Sequence, residues 1–318
     1  MLYVSTRNKV DSHTAYHVLH RADLPGEEQY VPMQFPKLTD YQLAALEQMS
    51  FGETVAFMFN LFYGIHVNGW NVDFAIGRQA VTLADIGHKV TISENWHNPA
   101  GEYNYLLQRL YALACEDKKP THRANLWFQT VVNISLLFSA HTKLCKNGIY
   151  EMDIAVETGD LQGLFAIRYA QKMGLPVARI ILGCMEGDNL WEFISYGDFQ
   201  TGRKEQPSGL EPLLWLAFGD EEVRRYLETV RKRGIYKLNL IQLEMFRNGV
   251  FVAVVGDNRA REVAATTLRV TEYCMTVDTA RAFGALQDYR AKYGENRPTL
   301  MMAKEMSAET GRRSSRRQ

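Results

Sequence analysis

A short polar turn follows an apolar run near the middle of the chain. Residues 153–156 precede Glu157-Thr158-Gly159-Asp160, and a helical pattern starts near Gly163. A strand, a glycine turn and a helix N-terminus form the usual anion-binding geometry, because backbone N–H groups converge there and the helix dipole adds its positive end. This turn, however, carries two carboxylates of its own. It is therefore either an altered phosphate site, an acid pair, or a capped turn that binds nothing.

A second acidic turn follows the next apolar run, residues 177–183, and contains Glu186 and Asp188. The carboxyl ends of adjacent parallel strands meet at one edge of a sheet, so both turns are expected to face the same crevice. Neither turn contains Lys or Arg. The crevice is therefore predicted to be acidic, which favours a cationic or amine-bearing small molecule, or a divalent metal, over a phosphate.

Three histidines near the start, His13, His17 and His20, follow the spacing H-x3-H-x2-H. On a helix capped by Asp11 or Ser12 they would share one face, a spacing that can bind a metal. No Glu or fourth ligand is evident, so a solvated polar stripe is the favoured interpretation. The histidines are a weak metal candidate only.

Hydrophobic periodicity indicates how these residues are positioned. Residues 1–100 are predicted to form an N-terminal helical segment, although the pattern in residues 70–100 is too weak to assign. Residues 101–305 alternate apolar strands with helices, which predicts an α/β domain with a mainly parallel sheet flanked by helices. Residues 306–318 form a basic tail that is expected to be disordered.

Composition restricts the class of protein. The 318 residues carry 36 basic and 36 acidic side chains, and this balance argues against a nucleic-acid partner. A hydrophobic fraction of 46% without an apolar run of membrane-spanning length predicts a globular protein with no membrane partner. The start lacks the apolar core of a signal peptide, and the four cysteines are widely spaced. Both observations predict a cytoplasmic protein.

Several stretches, read in order, match a series of motifs of one enzyme family. YVSTRN at residues 3–8 is similar to Y-x-S-T-R-[GN], and residues 29–46 are similar to a G-L-Y-V-P-x-x-F-P motif followed by a helix. Residues 156–176 resemble V-P-[ST]-G-N-F-G-D with its following helix and G-L-P. ILGCMEGDNLWEFISYGDF at 181–199 and TVDTARA at 276–282 resemble the next two motifs. In this order the stretches resemble threonine synthase, a lyase of amino-acid biosynthesis with pyridoxal phosphate (PLP) fold type II, and the resemblance implies the large domain of a fold-type II enzyme.

The departures from this family concern the cofactor. The family's Schiff-base lysine lies in an F-K-D motif, which does not occur here, and the small domain that carries the next cofactor loop is strongly shortened. Lys89 is the sole lysine between Lys37 and Lys118, and its surroundings do not resemble the motif. Schiff-base chemistry needs one correctly placed, unprotonated amine. No residue of this sequence is assigned that role.

The resemblance also assigns a degenerate set of cofactor-binding residues. The family's phosphate turn T-G-N-F-G-D corresponds here to a run in which Asp160 replaces Asn and Gln162 replaces a glycine. Thr299 corresponds to the threonine that faces the pyridine nitrogen, although Met301-Met302 replaces the His-Pro after it. The implied residues are Thr158, Gly159, Asp160, Gln162, Gly163 and Thr299.

Together these observations predict a threonine synthase-like pseudoenzyme without PLP catalysis, acting as a small-molecule-binding or partner protein. No cofactor is predicted, the catalytic residues are unassigned, and a homo-oligomer is an open expectation. Two alternatives remain. The chain is an active PLP-dependent threonine synthase or lyase that uses an unplaced lysine, or it is a metal-dependent enzyme built on the acidic crevice.

Overall fold

The computed structural model describes residues 1–20, 29–116, 125–145, 151–200 and 210–305, so the predicted basic tail lies outside the described residues. Within these residues the chain forms eleven strands and thirteen helices. The strands are β1 Leu2–Ser5, β2 Ser12–Thr14, β3 Tyr30–Pro32, β4 Thr82–Asp85, β5 Val90–Glu94, β6 Met152–Glu157, β7 Val177–Cys184, β8 Asp198–Gln200, β9 Ile235–Lys237, β10 Val250–Val254 and β11 Thr299–Ala303. The helices are α1 Ala15–His20, α2 Asp40–Leu46, α3 Phe51–Tyr63, α4 Gly69–Ile76, α5 Tyr103–Ala114, α6 Leu126–Leu144, α7 Leu161–Met173, α8 Asn189–Tyr196, α9 Leu210–Phe218, α10 Asp220–Arg233, α11 Leu240–Arg247, α12 Asp257–Thr271 and α13 Val277–Tyr293. None of the helices described is long and apolar enough to cross a membrane.

The predicted α/β class with a mainly parallel sheet is confirmed. The central sheet has six strands in the order β10-β7-β6-β11-β5-β4. Its first five strands are parallel, and β4 runs antiparallel to β5 at one edge. Strands β8 and β9 form a separate antiparallel pair.

Both faces of the sheet are covered by helices. Successive side chains of each strand point to opposite faces, so neighbouring residues of one strand belong to different cores. In β6, Ile154 belongs to the core shared with α6 and α7, whereas Ala155 belongs to a second core under α12 and α13. Ile180 and Ile181 of β7 divide in the same way. A parallel sheet buried on both faces requires continuous apolar strands, which is the pattern that the sequence shows.

The predicted adjacency of the two strands around the polar turn is confirmed. β6 and β7 are parallel neighbours, with Glu157 opposite Gly183, and α7 connects them. Asp160 is the N-cap of α7, and Gly174 ends the helix at a φ of 112° that favours glycine. This β-α-β unit fixes the position of the turn at residues 157–160.

The N-terminal segment contains more strand than the sequence pattern indicated. β1 pairs with β2 and β3 in a small antiparallel sheet. The predicted helix through all three histidines is wrong, because His13 lies in β2 and only His17 and His20 lie on α1. In addition, β4 and β5, from the segment before residue 101, join the central sheet beside β11.

A buried carboxylate at the amino-terminal end of β6 gives a first prediction. Asp153 is 1% exposed and neither carboxylate oxygen has a hydrogen-bond partner, although Arg297 lies 4.0 Å away. Burial raises the pKa of Asp153 to about 6 from 3.8, against the lowering effect of Arg297 and Arg290. The folded state therefore holds this proton more tightly than the unfolded chain, so its stability falls as pH rises from about 4 to about 6.

Asp153→Asn is expected to flatten this pH dependence and to raise the free energy of unfolding near neutral pH by about 1 kcal/mol. The gain is smaller than the pKa alone indicates, because the new amide also leaves buried polar atoms unpaired, at a cost of about 1–3 kcal/mol. Urea unfolding of both proteins across this pH range measures the effect. If the free energy of unfolding of the wild-type protein changes with pH in parallel with that of the variant, the prediction for Asp153 is contradicted.

Candidate functional site

The candidate site lies at the carboxyl-terminal edge of the central sheet, where the two predicted turns meet. β6 ends at Glu157 and β7 at Cys184, and these strands are hydrogen-bonded neighbours. The turns are joined by a hydrogen bond from the Thr158 hydroxyl to the Asp188 carboxylate. The structure thus brings the acidic residues of both turns to one crevice, as the strand order requires.

The backbone N–H groups of the first turn are largely occupied by the protein's own oxygen atoms. Gly159 N–H donates to Glu157 Oε2 at 2.9 Å, and Gly163 N–H donates to Asp160 Oδ1 at 2.8 Å. In the described residues, only the N–H groups of Leu161 and Gln162 in this turn lack a hydrogen-bond partner. Two side-chain carboxylates therefore take two of the donors that such a turn would offer to an external anion, the N–H groups of Gly159 and Gly163.

The two glycines of the turn show how closely these carboxylates approach. A Cβ placed on Gly159 would lie 2.8 Å from Glu157 Oε2, and one on Gly163 would lie 2.2 Å from Asp160 Oδ2. The space that glycine leaves open beside the turn is thus filled by carboxylate oxygens. The residues present do not fit the phosphate group of PLP.

Gln162, which stands where the family resemblance has a glycine, connects the turn to helix α6. Its amide donates to the Leu126 carbonyl oxygen at 2.8 Å and to the Thr130 hydroxyl. These bonds hold the first turn of α7 against α6. The side chain of Gln162 thus attaches the turn to helix α6.

Two cations that the sequence analysis did not identify also lie at this edge. Lys304 follows β11, and its Nζ lies 2.5 Å from Asp160 Oδ1. Arg281 on α13 is 2% exposed and donates to the Val255 carbonyl oxygen at 2.6 Å and to Asp257 at 2.9 Å. A lysine directly after an apolar strand was a usable signal for Lys304, whereas nothing local to Arg281 distinguishes it.

Acidic groups still outnumber the cations around the crevice. The carboxylates linked through these contacts are Glu157, Asp160, Glu186, Asp188, Asp257 and Asp278, and the cations are Lys304, Arg281 and Arg261. Burial raises the pKa of Glu157, and the nearby charges of Asp278 and Asp160 add to this effect. Burial likewise raises the pKa of the Cys184 thiol, so this cysteine is unsuited to act as a thiolate nucleophile.

Thr299 and Lys89 lie at the amino-terminal ends of their strands, opposite the acidic crevice. Thr299 is the first residue of β11, pairs with Asp153, and its hydroxyl accepts from Arg290 and donates to the Arg297 carbonyl oxygen. Lys89 precedes β5, and its Nζ donates to the Asn296 carbonyl oxygen. The structure therefore does not bring Thr299 or Lys89 to the turn that contains Asp160.

The weak metal candidate is not assembled by the fold. The rings of His13 and His17 stack at 4.5 Å, whereas His20 contacts the Tyr16 carbonyl oxygen through Nδ1. Across the described part of the chain, no three His, Cys, Asp or Glu side chains are placed to hold a metal ion. The same holds for the carboxylates of the acidic crevice, four of which are bonded to Thr158, Gly159, Gly163, Lys304 or Arg281.

Solved structures of three threonine synthases share this fold. The PLP-bound threonine synthase from Brucella melitensis matches with a TM-score of 0.80 and 16% identity, over 97% of this chain and 89% of that chain. Threonine synthase from yeast matches with a TM-score of 0.77 and 13% identity, over 98% of this chain and 88% of that chain. The Escherichia coli enzyme matches with a TM-score of 0.71 and 14% identity, over 99% and 91%. No protein-family model matches the sequence. The expected threonine synthase-like, fold-type II architecture is thus confirmed.

Proposed function

We propose that this protein is a threonine synthase-like binding protein that takes a cationic or amine-bearing small molecule in the acidic crevice and performs no PLP catalysis. The observation that carries the proposal is the filled turn, in which Glu157 and Asp160 accept from the N–H groups of Gly159 and Gly163. A turn in this state has lost two of the N–H donors that would attract a phosphate. The wide spacing of the four cysteines along the sequence extends the proposal to a reducing compartment such as the cytoplasm.

The charges at the crevice support the same preference. A carboxylate about 4 Å from one unit of phosphate charge costs on the order of 4 kcal/mol at an effective dielectric near 20. A helix N-terminus returns only about 0.3–1 kcal/mol. Lys304 offsets part of this repulsion at Asp160, and Arg281 lies 3.7 Å from Asp278, but Glu157 has no ion-pair partner among the described residues. A positively charged group is therefore the better partner for this crevice.

One observation favours the alternative of an active PLP-dependent enzyme that uses a lysine outside the family motif. Lys304 is placed beside the turn, with its Nζ 2.5 Å from Asp160. PLP supplies an electron sink for amino-acid chemistry when it is bound through a lysine amine. For Lys304 to take this role, its ion pair with Asp160 would have to open and the turn would have to release both carboxylates.

Thermal unfolding with defined ligands tests the proposal. We expect putrescine to raise the melting temperature of the wild-type protein, and inorganic phosphate and PLP to leave it unchanged. A ligand at about 100 times its Kd stabilises the folded state by about 2.7 kcal/mol. Magnesium chloride serves as the probe for a divalent cation in the same series.

Asp160→Asn keeps a side chain that can cap α7 but removes one charge from the turn. This variant should respond less to putrescine and tolerate phosphate better. Glu228→Gln on the exposed face of α10 removes the same charge away from the crevice and should respond as the wild type does. Stabilisation of the wild-type protein by phosphate above that by any cation would show that the turn is still a phosphate site.

Borohydride reduction in the presence of PLP separates the two candidate functions. We expect no stoichiometric pyridoxyl label on any lysine and no visible absorbance band in the purified protein. A single labelled lysine, found by mass analysis of peptides, would contradict the proposal. Label on Lys304 would establish the alternative, and Lys304→Met would then remove it.

A further inference from the structure

A cavity that is not lined by the residues of the acidic crevice lies beside helix α7. It has a volume of about 350 Å³, which is within the range of about 300–1,000 Å³ for small-molecule sites. Helices α7, α8, α9 and α11 and strands β7 and β10 form its walls. Most of its lining is apolar and comes from Leu164, Leu182, Leu213, Leu216, Phe246 and Val250.

The polar groups of this cavity come from one face of α7. Arg168, Gln171 and Lys172 line it, and their spacing of three and four residues places them side by side on the helix. No acidic side chain lines the cavity in the described part of the chain. An apolar chamber with cations along one wall is complementary to a molecule that has an apolar body and a negative head.

Both cations contact backbone carbonyl oxygens but keep further donors. Arg168 Nη2 donates to the carbonyl oxygens of Phe246 and Asn248 at 3.1 and 2.7 Å, and Nη1 contacts Gln171 Oε1 at 3.4 Å. A guanidinium has five N–H donors, so Nε–H and one N–H of Nη1 are not used by these bonds. The ammonium of Lys172 donates to the Leu216 carbonyl oxygen at 3.1 Å and has two more N–H groups.

These cations have no anionic partner among the described residues. Burial lowers the pKa of Arg168 to about 10, and no carboxylate acts against this effect. Burial also lowers the pKa of Lys172, and the neighbouring charge of Arg168 lowers it further. Arg168 is partly buried and Lys172 is exposed, and two adjacent cations that repel each other gain from an added negative charge.

We propose that this cavity binds an amphipathic monocarboxylate, with its hydrocarbon chain among the leucines and its carboxylate against Arg168 and Lys172. The site is independent of the proposed crevice ligand, since Arg168 lies more than one helical turn from Gly163 along α7. It also has the opposite charge preference. The protein then binds an anion behind α7 and a cation in front of the turn that begins it.

Isothermal titration with decanoate and decanol tests this site, because the two probes share a chain length and differ in charge. We expect saturable binding of decanoate to the wild-type protein and binding of decanol that is about tenfold weaker, as a charged hydrogen bond implies. Lys172→Met should weaken decanoate by about tenfold and leave decanol unchanged. Lys232→Met on α10 changes the net charge equally and should affect neither probe.

A cavity-filling variant keeps the test decisive if a charge variant is destabilised, since Arg168 also contacts the end of α11. Ala217→Phe places a ring in the cavity and should abolish binding of both probes. Asp160→Asn should leave decanoate binding unchanged, so failure of the crevice proposal and failure of this one are distinguishable. Equal affinity for decanol and decanoate, no saturable binding to the wild type, or full binding to Ala217→Phe would overturn the proposal.

Discussion

Gly183→Ala is expected to lower the free energy of unfolding by about 3 kcal/mol or more, because an added Cβ would meet backbone atoms. The Cβ would lie 2.5 Å from the carbonyl oxygen of Arg281 and 2.9 Å from the backbone nitrogen of Ala282. Strand β7 and helix α13 therefore approach so closely that only glycine fits. To accept the methyl group, α13 must move, and Arg281 must move with it.

Urea unfolding and thermal melting measure this effect, and a fall of roughly 5–10 °C in melting temperature corresponds to it. Gly64→Ala is a matched control, because nothing lies within 4 Å of its added Cβ and only its φ of 70° disfavours alanine. That control should cost about 1–2 kcal/mol. If Gly183→Ala is as stable as the wild type, the contact between β7 and α13 is looser than the structure indicates.

The part of the fold that is local in sequence could be predicted. Residues 153–183 contain an apolar strand, a capped helix and a second apolar strand, and the structure has β6, α7 and β7 there as neighbours. The position of β11 between β6 and β5 could not be derived from periodicity. Pairing between strands that are far apart in the chain depends on tertiary packing, which leaves no local pattern.

The N-terminal error has a similar cause. His13, His17 and His20 have helical spacing, yet His13 pairs with Tyr3 in the small sheet. A three-residue strand next to a six-residue helix is too short for either periodicity to be read with certainty. The tertiary context of β1 decided which structure formed.

The acidic residues of the site could be predicted from the sequence, but the cations that balance part of their charge could not. Parallel strand ends meet at one edge, so the convergence of Glu157, Asp160 and Asp188 followed from the strand order. The pairing of Asp160 with Lys304 crosses from β6 to β11 and had no local signal beyond a lysine after an apolar strand. The hydrogen bonds of Glu157 and Asp160 to their own turn were also unpredicted in detail, although a cap at Asp160 was one open interpretation.

The hydrogen bonds of Glu157 and Asp160 to N–H groups of their own turn give the last prediction. Inside a helix, alanine is normally more favourable than glycine by about 0.5–1 kcal/mol. At Gly163 the sign should reverse, because the new Cβ would lie 2.2 Å from Asp160 Oδ2. Asp160 must then leave the Gly163 N–H and its place beside Lys304. We expect Gly163→Ala to lower the free energy of unfolding by about 2–3 kcal/mol, through the lost cap and the broken ion pair.

A double-mutant cycle shows whether the carboxylate is the cause. Glycine at the N-cap costs only a few tenths of a kcal/mol relative to Asp as a cap, so Asp160→Gly is a mild background in that respect. In that background Gly163→Ala has no carboxylate to displace and should recover the usual advantage of alanine. The coupling energy should therefore exceed about 2 kcal/mol, well above the value for independent sites. Additive effects of the two substitutions, measured by urea unfolding, would mean that Asp160 points away from the turn in solution. The turn would then keep its N–H groups for an external anion, and the basis for excluding a phosphate would be lost.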